Sequence, residues 1–204
     1  DRMYEWRRMN VRQREEALRI RRQCPRPWHS PPHFQADFPS YFHLSAACYE
    51  HAPLIGQTPA RMAEFENALL ETLESRGVAV RAWCALPNHW HALVKTADLK
   101  ATIRQVGQMH GRLSRQWNQE DQTAGRKCWF CCGDRRVRSE AHFWATLNYV
   151  HHNPVHHGYA AGWRNWPFSS AAEWLESTGE READRIWKTY PVLEYGKGWD
   201  DPEK

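Results

Sequence analysis

Two histidines separated by one residue, His89 and His91, form the pattern with the clearest chemical potential. On a strand both side chains project from one face, with Cα atoms about 6.5–7 Å apart, so two ring nitrogens can bind one cation. Trp90 then points into the opposite layer. A histidine-triad hydrolase is excluded because position 93 is Leu93, and a zincin protease because no His-Glu-x-x-His occurs. A metal site is therefore one interpretation, and a pair of surface histidines is the other.

Tyr149 and Asn153 are the second pair of interest, spaced four residues apart in a segment with helical periodicity. Residues at that spacing lie one above the other on a helix. A tyrosine hydroxyl ionises near pH 10 and is a weak nucleophile unless a cation stabilises the charge on the attacked group. An amide oxygen one turn away can help to hold that cation. The alternative is a packed tyrosine with a C-terminal helix cap.

The third pattern is a cysteine cluster of Cys128, Cys131 and Cys132. A zinc site of the Cys-x-x-Cys type needs a second such pair, and the chain has none. The cysteines are therefore interpreted as strand residues. A zinc-dependent nucleic-acid protein, completed by histidines, is the alternative that they leave open.

The elements that must position these residues follow one another regularly from Tyr41 onward. We predict strands over Tyr41–Tyr49, Val78–Leu86, His89–Thr96 and Trp129–Val137, with helices over residues 58–77, 101–118 and 139–152. Thr58 and Ser139 are predicted N-caps, and Pro154 is predicted to stop the last helix. The order β-α-β-β-α-β predicts an α+β, ferredoxin-like antiparallel sheet with a further helix after it.

The amino-acid composition is that of a globular protein. The chain has 204 residues, 41% hydrophobic and 25% charged, with six scattered cysteines, 12 tryptophans and 12 histidines. No stretch approaches the roughly 18 apolar residues of a membrane span, and no secretory signal opens the chain. We expect a cytoplasmic protein with reduced thiols.

Charge is distributed unevenly along three predicted regions. Residues 1–40 combine an arginine-rich helix, net +4 over residues 1–24, with a proline-rich linker. Residues 41–170 form the predicted compact domain, in which residues 100–138 carry a net +6. Residues 171–204 form an acidic, tryptophan-containing tail, net −4 from Glu173. A local positive field of this size is typical of proteins with a polyanionic partner.

Two stretches resemble a known family. The strand segment Leu86–Val94 (LPNHWHALV) is similar to the metal-binding strand of the single-tyrosine HUH transposases. The segment Phe143–Ser170 (FWATLNYVHHNPVHHGYAAGWRNWPFSS) resembles the catalytic helix and following tail of one branch, the REP-associated tyrosine transposases. The His-x-His pattern is weak alone. Combined with Tyr-x-x-x-Asn-Pro-Val 60 residues later, it is specific.

This resemblance implies an activity and a set of residue roles. His89, His91 and Asn153 correspond to the ligands of a divalent metal, Mg²⁺ or Mn²⁺. Tyr149 corresponds to the nucleophile that attacks a DNA phosphodiester and leaves a 5′-phosphotyrosine link and a free 3′-hydroxyl. The implied partners are single-stranded DNA hairpins of the REP or BIME type, recognised by a nucleoid-associated protein that acts as a monomer or homodimer. The implied enzyme is a DNA endonuclease and strand transferase.

Basic residues on the predicted helix over residues 101–118 and around the predicted last strand are the expected DNA contacts, because phosphate-binding side chains are mostly arginine and lysine. They are Arg104, Arg112, Arg115, Arg126, Lys127, Arg135, Arg136 and Arg138. The alternative to the nuclease is a module that descends from such a transposase and holds hairpin nucleic acid without cutting it.

Overall fold

The computed structural model describes residues 39–75, 77–192 and 195. The predicted arginine-rich helix and nearly all of the proline-rich linker lie outside these residues. The described chain contains four strands, β1 (Ser40–Ala47), β2 (Ala79–Ala85), β3 (His89–Thr96) and β4 (Gly133–Arg136). It also contains five α-helices: α1 (Pro59–Glu74), α2 (Leu99–Glu120), α3 (Glu140–His156), α4 (Ala171–Thr178) and α5 (Glu180–Thr189).

The four strands form one antiparallel sheet in the order β2-β3-β1-β4. Each of the two central strands therefore has a neighbour on both sides, and the predicted ferredoxin-like α+β arrangement is confirmed. The pairing places Ser45 opposite His91 and Leu93 opposite His43, so these side chains share one face of the sheet. Trp90 projects from the other face, because successive residues of a strand alternate.

Helices α1 and α2 cover the Trp90 face of the sheet. Their buried residues recur at helical spacing, with Met62, Phe65, Leu69 and Leu73 on α1. The hydroxyl of Thr58 caps α1 by accepting a hydrogen bond from the main-chain N–H of Arg61 at 3.1 Å, as the sequence predicts. Trp90 and Trp117 are both fully buried in this larger core.

Helix α3 covers the opposite face, where a second core cluster includes Leu93, Leu147 and Val150. Beyond it, the acidic tail forms α4 and α5, which the sequence analysis did not predict. Asn148 of α3 donates a hydrogen bond to the main-chain oxygen of Tyr190 at 2.8 Å, and the rings of His152 and Trp187 are 4.8 Å apart. Helix α3 is thus covered on two sides, which explains the unbroken burial of residues 146–151.

Two predicted boundaries are wrong. Helix α3 does not stop before Pro154 but continues through it to His156. Proline lacks an N–H and disrupts the preceding turn, yet here it lies in the last turn of the helix. After the last helical residue, His156, and the cap residue His157, Gly158 takes a φ of +73° and donates its N–H to the carbonyl of Val155 at 3.0 Å. A left-handed glycine, rather than the proline, terminates α3.

The second wrong boundary is the start of β4. The sequence predicts a strand over Trp129–Val137, but the structure has only Gly133–Arg136. Residue Trp129 forms an isolated bridge with Cys48 and buries its ring against Phe65, with centroids 5.5 Å apart. The N–H of Phe130 donates to the carbonyl of Ala47 in β1 at 2.9 Å, but regular pairing with β1 begins only at Gly133. None of the helices in the described part of the chain is long and apolar enough to cross a lipid bilayer.

Substitution of Gly107 by alanine is expected to stabilise the protein by about 0.5–1 kcal/mol. The residue lies inside α2, where an added Cβ has no neighbour within 4 Å. The gain comes from the lower helix propensity of glycine, and chemical denaturation measures it. Gly56→Ala is the matched control and should be destabilising, because its Cβ would collide with Pro87. A Gly107→Ala protein that is less stable than the parent would contradict the prediction.

Candidate active site

Strand β3 places His89 and His91 side by side on the α3 face of the sheet. The two rings are 5.1 Å apart at their centroids, and the residues are only 4% and 2% exposed. Trp90 between them points the other way, and its indole N–H donates to Nε2 of His110 at 3.1 Å. Strand alternation therefore presents both imidazoles to one small volume beneath α3.

Helix α3 brings Tyr149 and Asn153 to the same volume. The Oδ1 atom of Asn153 lies 3.0 Å from Nε2 of His89, and the ring of Tyr149 is 5.2 Å from that of His91. Asn153 is 1% exposed and Tyr149 is 5% exposed. Side chains separated by 60 residues in the sequence thus meet in one buried cluster, which we call the His-Tyr-Asn cluster: His89, His91, Tyr149 and Asn153.

The donor atoms of this cluster fit a divalent cation. Nε2 of His89 and Oδ1 of Asn153 face each other at 3.0 Å, close to the spacing of neighbouring ligands with bonds of about 2.1 Å. The Nδ2 atom of Asn153 is buried and has no hydrogen-bond partner within the described chain. Imidazole nitrogens favour transition metals and an amide oxygen suits Mn²⁺ or Mg²⁺, so this mixed donor set fits Mn²⁺ better than Mg²⁺. Over residues 39–75, 77–192 and 195, no group of three or more His, Cys, Asp or Glu side chains is arranged to hold a metal ion.

Several residues that the sequence analysis did not select lie next to the cluster. Nε2 of His43 lies 3.1 Å from Nδ1 of His91, and Oδ1 of Asn88 lies 2.8 Å from Nδ1 of His89. The ring of His157 is 4.7 Å from that of His89. His43 could not be selected from the sequence, because the sequence does not reveal which strand pairs with β1. It therefore does not show that His43 faces His91. Asn88 has a recognisable signal, since it directly precedes a candidate ligand.

Tyr195 is a second tyrosine beside the cluster. Its ring is 5.4 Å from that of Tyr149, and its hydroxyl lies 3.3 Å from Nε2 of His142. Burial raises the pKa of Tyr195 to about 12, against the opposing effects of its hydrogen bond with Thr146 and the charge of Arg135. This phenol therefore stays protonated under ordinary conditions.

Arg135 is the predicted DNA-contact residue nearest to the cluster. On β4 it pairs with His43, so both side chains project from the α3 face of the sheet. Burial lowers the pKa of the Arg135 guanidinium, and the neighbouring phenols of Tyr195 and Tyr149 oppose that change. Arg135 therefore places positive charge beside the phenols of Tyr195 and Tyr149.

The other predicted DNA contacts are more scattered. Arg104, Arg112 and Arg115 are exposed on α2, across the sheet from the cluster. Arg126 is occupied by a salt bridge to Asp121 at 2.7 Å, and Lys127 lies 4.4 Å above the ring of Tyr49. Arg136, at the end of β4, and Arg138, just after it, are also exposed. The structure brings only Arg135 to the His-Tyr-Asn cluster.

The cysteine cluster lies at the other side of the molecule. Cys128 is buried with its Sγ 3.4 Å from Oδ1 of Asn118, whereas Cys131 is exposed. Burial raises the pKa of Cys132 to about 12, which keeps that thiol protonated.

Comparisons with known proteins bear on this site. No family model matches the chain. The chain is 30% identical over 121 residues to a protein of Haemophilus influenzae (strain Rd) described as “Putative REP-associated tyrosine transposase”. The match covers 52% of this chain and 66% of that protein, so the chain spans just under two thirds of the length of this relative.

The fold matches a solved structure described as “Structure of the REP associates tyrosine transposase bound to a REP hairpin”. The TM-score is 0.56 at 16% identity, over 72% of this chain and 86% of the other. A structure described as “Crystal structure of a putative transposase from deinococcus radiodurans r1” matches over 54% of this chain and 88% of its own, at 13% identity and a TM-score of 0.40, which is too low to support an argument. The sequence match to this relative confirms the predicted resemblance to the REP-associated tyrosine transposases, and the structural match confirms the predicted fold.

Proposed function

We propose that this chain is a REP-associated tyrosine transposase that binds DNA hairpins and cuts the adjoining single strand through Tyr149. The observation that carries the proposal is the His-Tyr-Asn cluster, in which a phenol lies beside two imidazoles and an amide oxygen. The sequence match to a transposase relative and the fold match to a hairpin-bound transposase support the same class of substrate.

In the proposed reaction, Oη of Tyr149 attacks the phosphorus of a DNA phosphodiester. A bond forms between Oη and phosphorus, and the bond from phosphorus to the 3′ oxygen breaks. The phenolic proton is lost and the 3′ oxygen gains one, so the step balances without a net acid or base. The products are a 5′-phosphotyrosine and a 3′-hydroxyl. Since the phosphodiester bond is exchanged rather than hydrolysed, a 3′-hydroxyl can reverse the step and join strands without ATP.

His89, His91 and Asn153 would hold the divalent metal beside this phenol. When bound there, the metal supplies Lewis-acid stabilisation of the negative charge that develops on the attacked phosphate. The burial of the cluster strengthens such electrostatic effects, because water is excluded. Arg135 would orient the phosphate by charge and hydrogen bonding.

A non-cleaving hairpin-binding module is the second candidate, and one observation favours it. Tyr149 is only 5% exposed and carries the ring of Tyr195 against it, so a phosphodiester must displace neighbouring groups to reach Oη. Both candidates bind hairpins. They differ in whether a covalent protein–DNA bond forms.

Incubation with 5′- and 3′-labelled hairpins that carry single-stranded flanks tests the proposal. With Mn²⁺ present, we expect a covalent adduct that survives denaturing electrophoresis, and we expect EDTA to abolish it by removing the metal. Retention of hairpin binding in EDTA separates metal loss from unfolding. If hairpins bind but no adduct forms with either Mn²⁺ or Mg²⁺, whatever the sequence of the flanks, the chain is the non-cleaving module.

A further inference from the structure

The Asn88 side chain has a fixed orientation at the start of β3. Its Nδ2 group donates a hydrogen bond to the main-chain carbonyl of His51 at 3.2 Å. A carbonyl oxygen can only accept, so the amide must turn its NH₂ group toward His51 and its Oδ1 toward His89. The assignment of oxygen and nitrogen in this amide thus follows from its partner.

The orientation of Asn88 decides the proton position on the next residue. Oδ1 of Asn88 lies 2.8 Å from Nδ1 of His89 and can only accept a hydrogen bond. Nδ1 of His89 must therefore carry the proton. In the neutral ring the lone pair is then on Nε2, which lies 3.0 Å from Oδ1 of Asn153, another acceptor. Two acceptors cannot hydrogen-bond to each other, so in the metal-free protein the Asn153 amide must turn over and donate its Nδ2–H, which otherwise has no partner within the described chain, to this lone pair.

We infer that Asn88 is a positioning residue that holds His89 in the Nδ1–H tautomer and directs the Nε2 lone pair into the cluster. The proton position itself is set by Asn88 and His51, because the Asn88 amide is fixed by its bond to the His51 carbonyl, whereas the Asn153 amide can present either its oxygen or its nitrogen to Nε2. Its use, to present that lone pair to a metal, rests on the proposed function. Partners of this kind fix the ring orientation of metal-binding histidines and raise their basicity.

Two backbone features hold Asn88 and its partner His51 in place. Glu50 and His51 have φ values of +54° and +51°, in the left-handed region that residues other than glycine rarely adopt. This turn directs the His51 carbonyl toward Asn88. The main-chain oxygen of Asn88 also accepts a hydrogen bond from the N–H of Cys48 at 2.7 Å. Such strain persists where the surrounding structure fixes it, often at functional sites.

Imidazole ¹⁵N NMR of the metal-free protein tests the inference. At about pH 8, above the ordinary histidine pKa of about 6.5, we expect His89 to show a protonated Nδ1 and an unprotonated Nε2. Asn88→Leu should shift His89 toward the Nε2–H tautomer, whereas Asn88→Asp, which keeps an acceptor oxygen, should preserve Nδ1–H. His110 is an internal reference, because its Nε2 accepts from Trp90 and its tautomer should not change.

Binding of Mn²⁺, measured by electron paramagnetic resonance, gives the second readout. We expect Asn88→Leu to weaken it by about 10–100-fold and Asn88→Asp to retain it. An Nε2–H tautomer of His89 in the parent protein would overturn the inference, whatever the cleavage activity. An unchanged tautomer in folded Asn88→Leu would overturn it as well. The expected tautomers in a protein that binds no Mn²⁺ and forms no adduct would support the inference and refute the proposed function.

Discussion

Replacement of Tyr149 by phenylalanine is expected to abolish the covalent DNA adduct and to reduce cleavage by at least about 10⁴-fold, the range seen when a nucleophile is removed from an enzyme. The substitution deletes the one oxygen that would bond to phosphorus. It keeps the aromatic ring that packs at 5.2 Å from His91 and 5.7 Å from His43. Hairpin affinity, measured by a mobility shift, should therefore remain close to that of the parent, and adducts should be quantified on denaturing gels.

Tyr195 provides the matched control for this experiment. It is a half-buried tyrosine beside the same cluster, and Tyr195→Phe removes a hydroxyl in the same way. Since burial raises its pKa to about 12, we expect its loss to leave the adduct in place. If the adduct is lost in Tyr195→Phe and retained in Tyr149→Phe, Tyr195 is the nucleophile and our proposal names the wrong residue.

Much of the fold could be predicted from the sequence because its signals are local. Thr58 and Pro59 mark the start of α1, and the apolar spacing along α1 and α2 identifies the faces that pack on the sheet. The alternation of His89, Trp90 and His91 divides these side chains between two layers. That division follows from strand geometry alone.

The rest of the site depends on contacts that are distant in sequence. His43 adjoins His91 only because β1 pairs with β3 in one particular register, and a shift of one residue would turn His43 to the opposite face. Tyr195 approaches from a segment nearly fifty residues after Tyr149. Neither pairing has a local signal, so the sequence predicts the two ligands, the phenol and the amide but not their neighbours.

The proline error has a similar origin. Pro154 is a reliable local signal that a helix cannot continue through its interior. In α3, however, the residues around it are held by contacts made elsewhere: Asn153 faces His89, and His151 donates to or accepts from the hydroxyl of Ser170 at 3.0 Å. Tertiary packing thus keeps the last turn helical. This extension maintains the helical spacing that places Asn153 one turn beyond Tyr149.

Acid destabilisation through His110 is the second large effect that we expect. Its ring is stacked on Trp129, with centroids 3.9 Å apart, and its Nε2 accepts the indole N–H of Trp90. Burial lowers the pKa of His110 to about 3. An unfolded histidine titrates near 6.5, so between these values the unfolded state binds a proton that the folded state does not.

The stability contribution of neutral His110 is therefore complete above about pH 6.5 and falls by about 1.4 kcal/mol per pH unit below it, until about pH 3. From pH 7 to 4.5, we expect a loss of about 2–3 kcal/mol from this residue. Urea unfolding at both pH values, compared between the parent and His110→Gln, isolates that contribution. His156→Gln, the same substitution at an exposed histidine, should leave the pH dependence intact. If the parent and His110→Gln lose equal stability over this range, His110 does not remain neutral through its burial against Trp90 and Trp129.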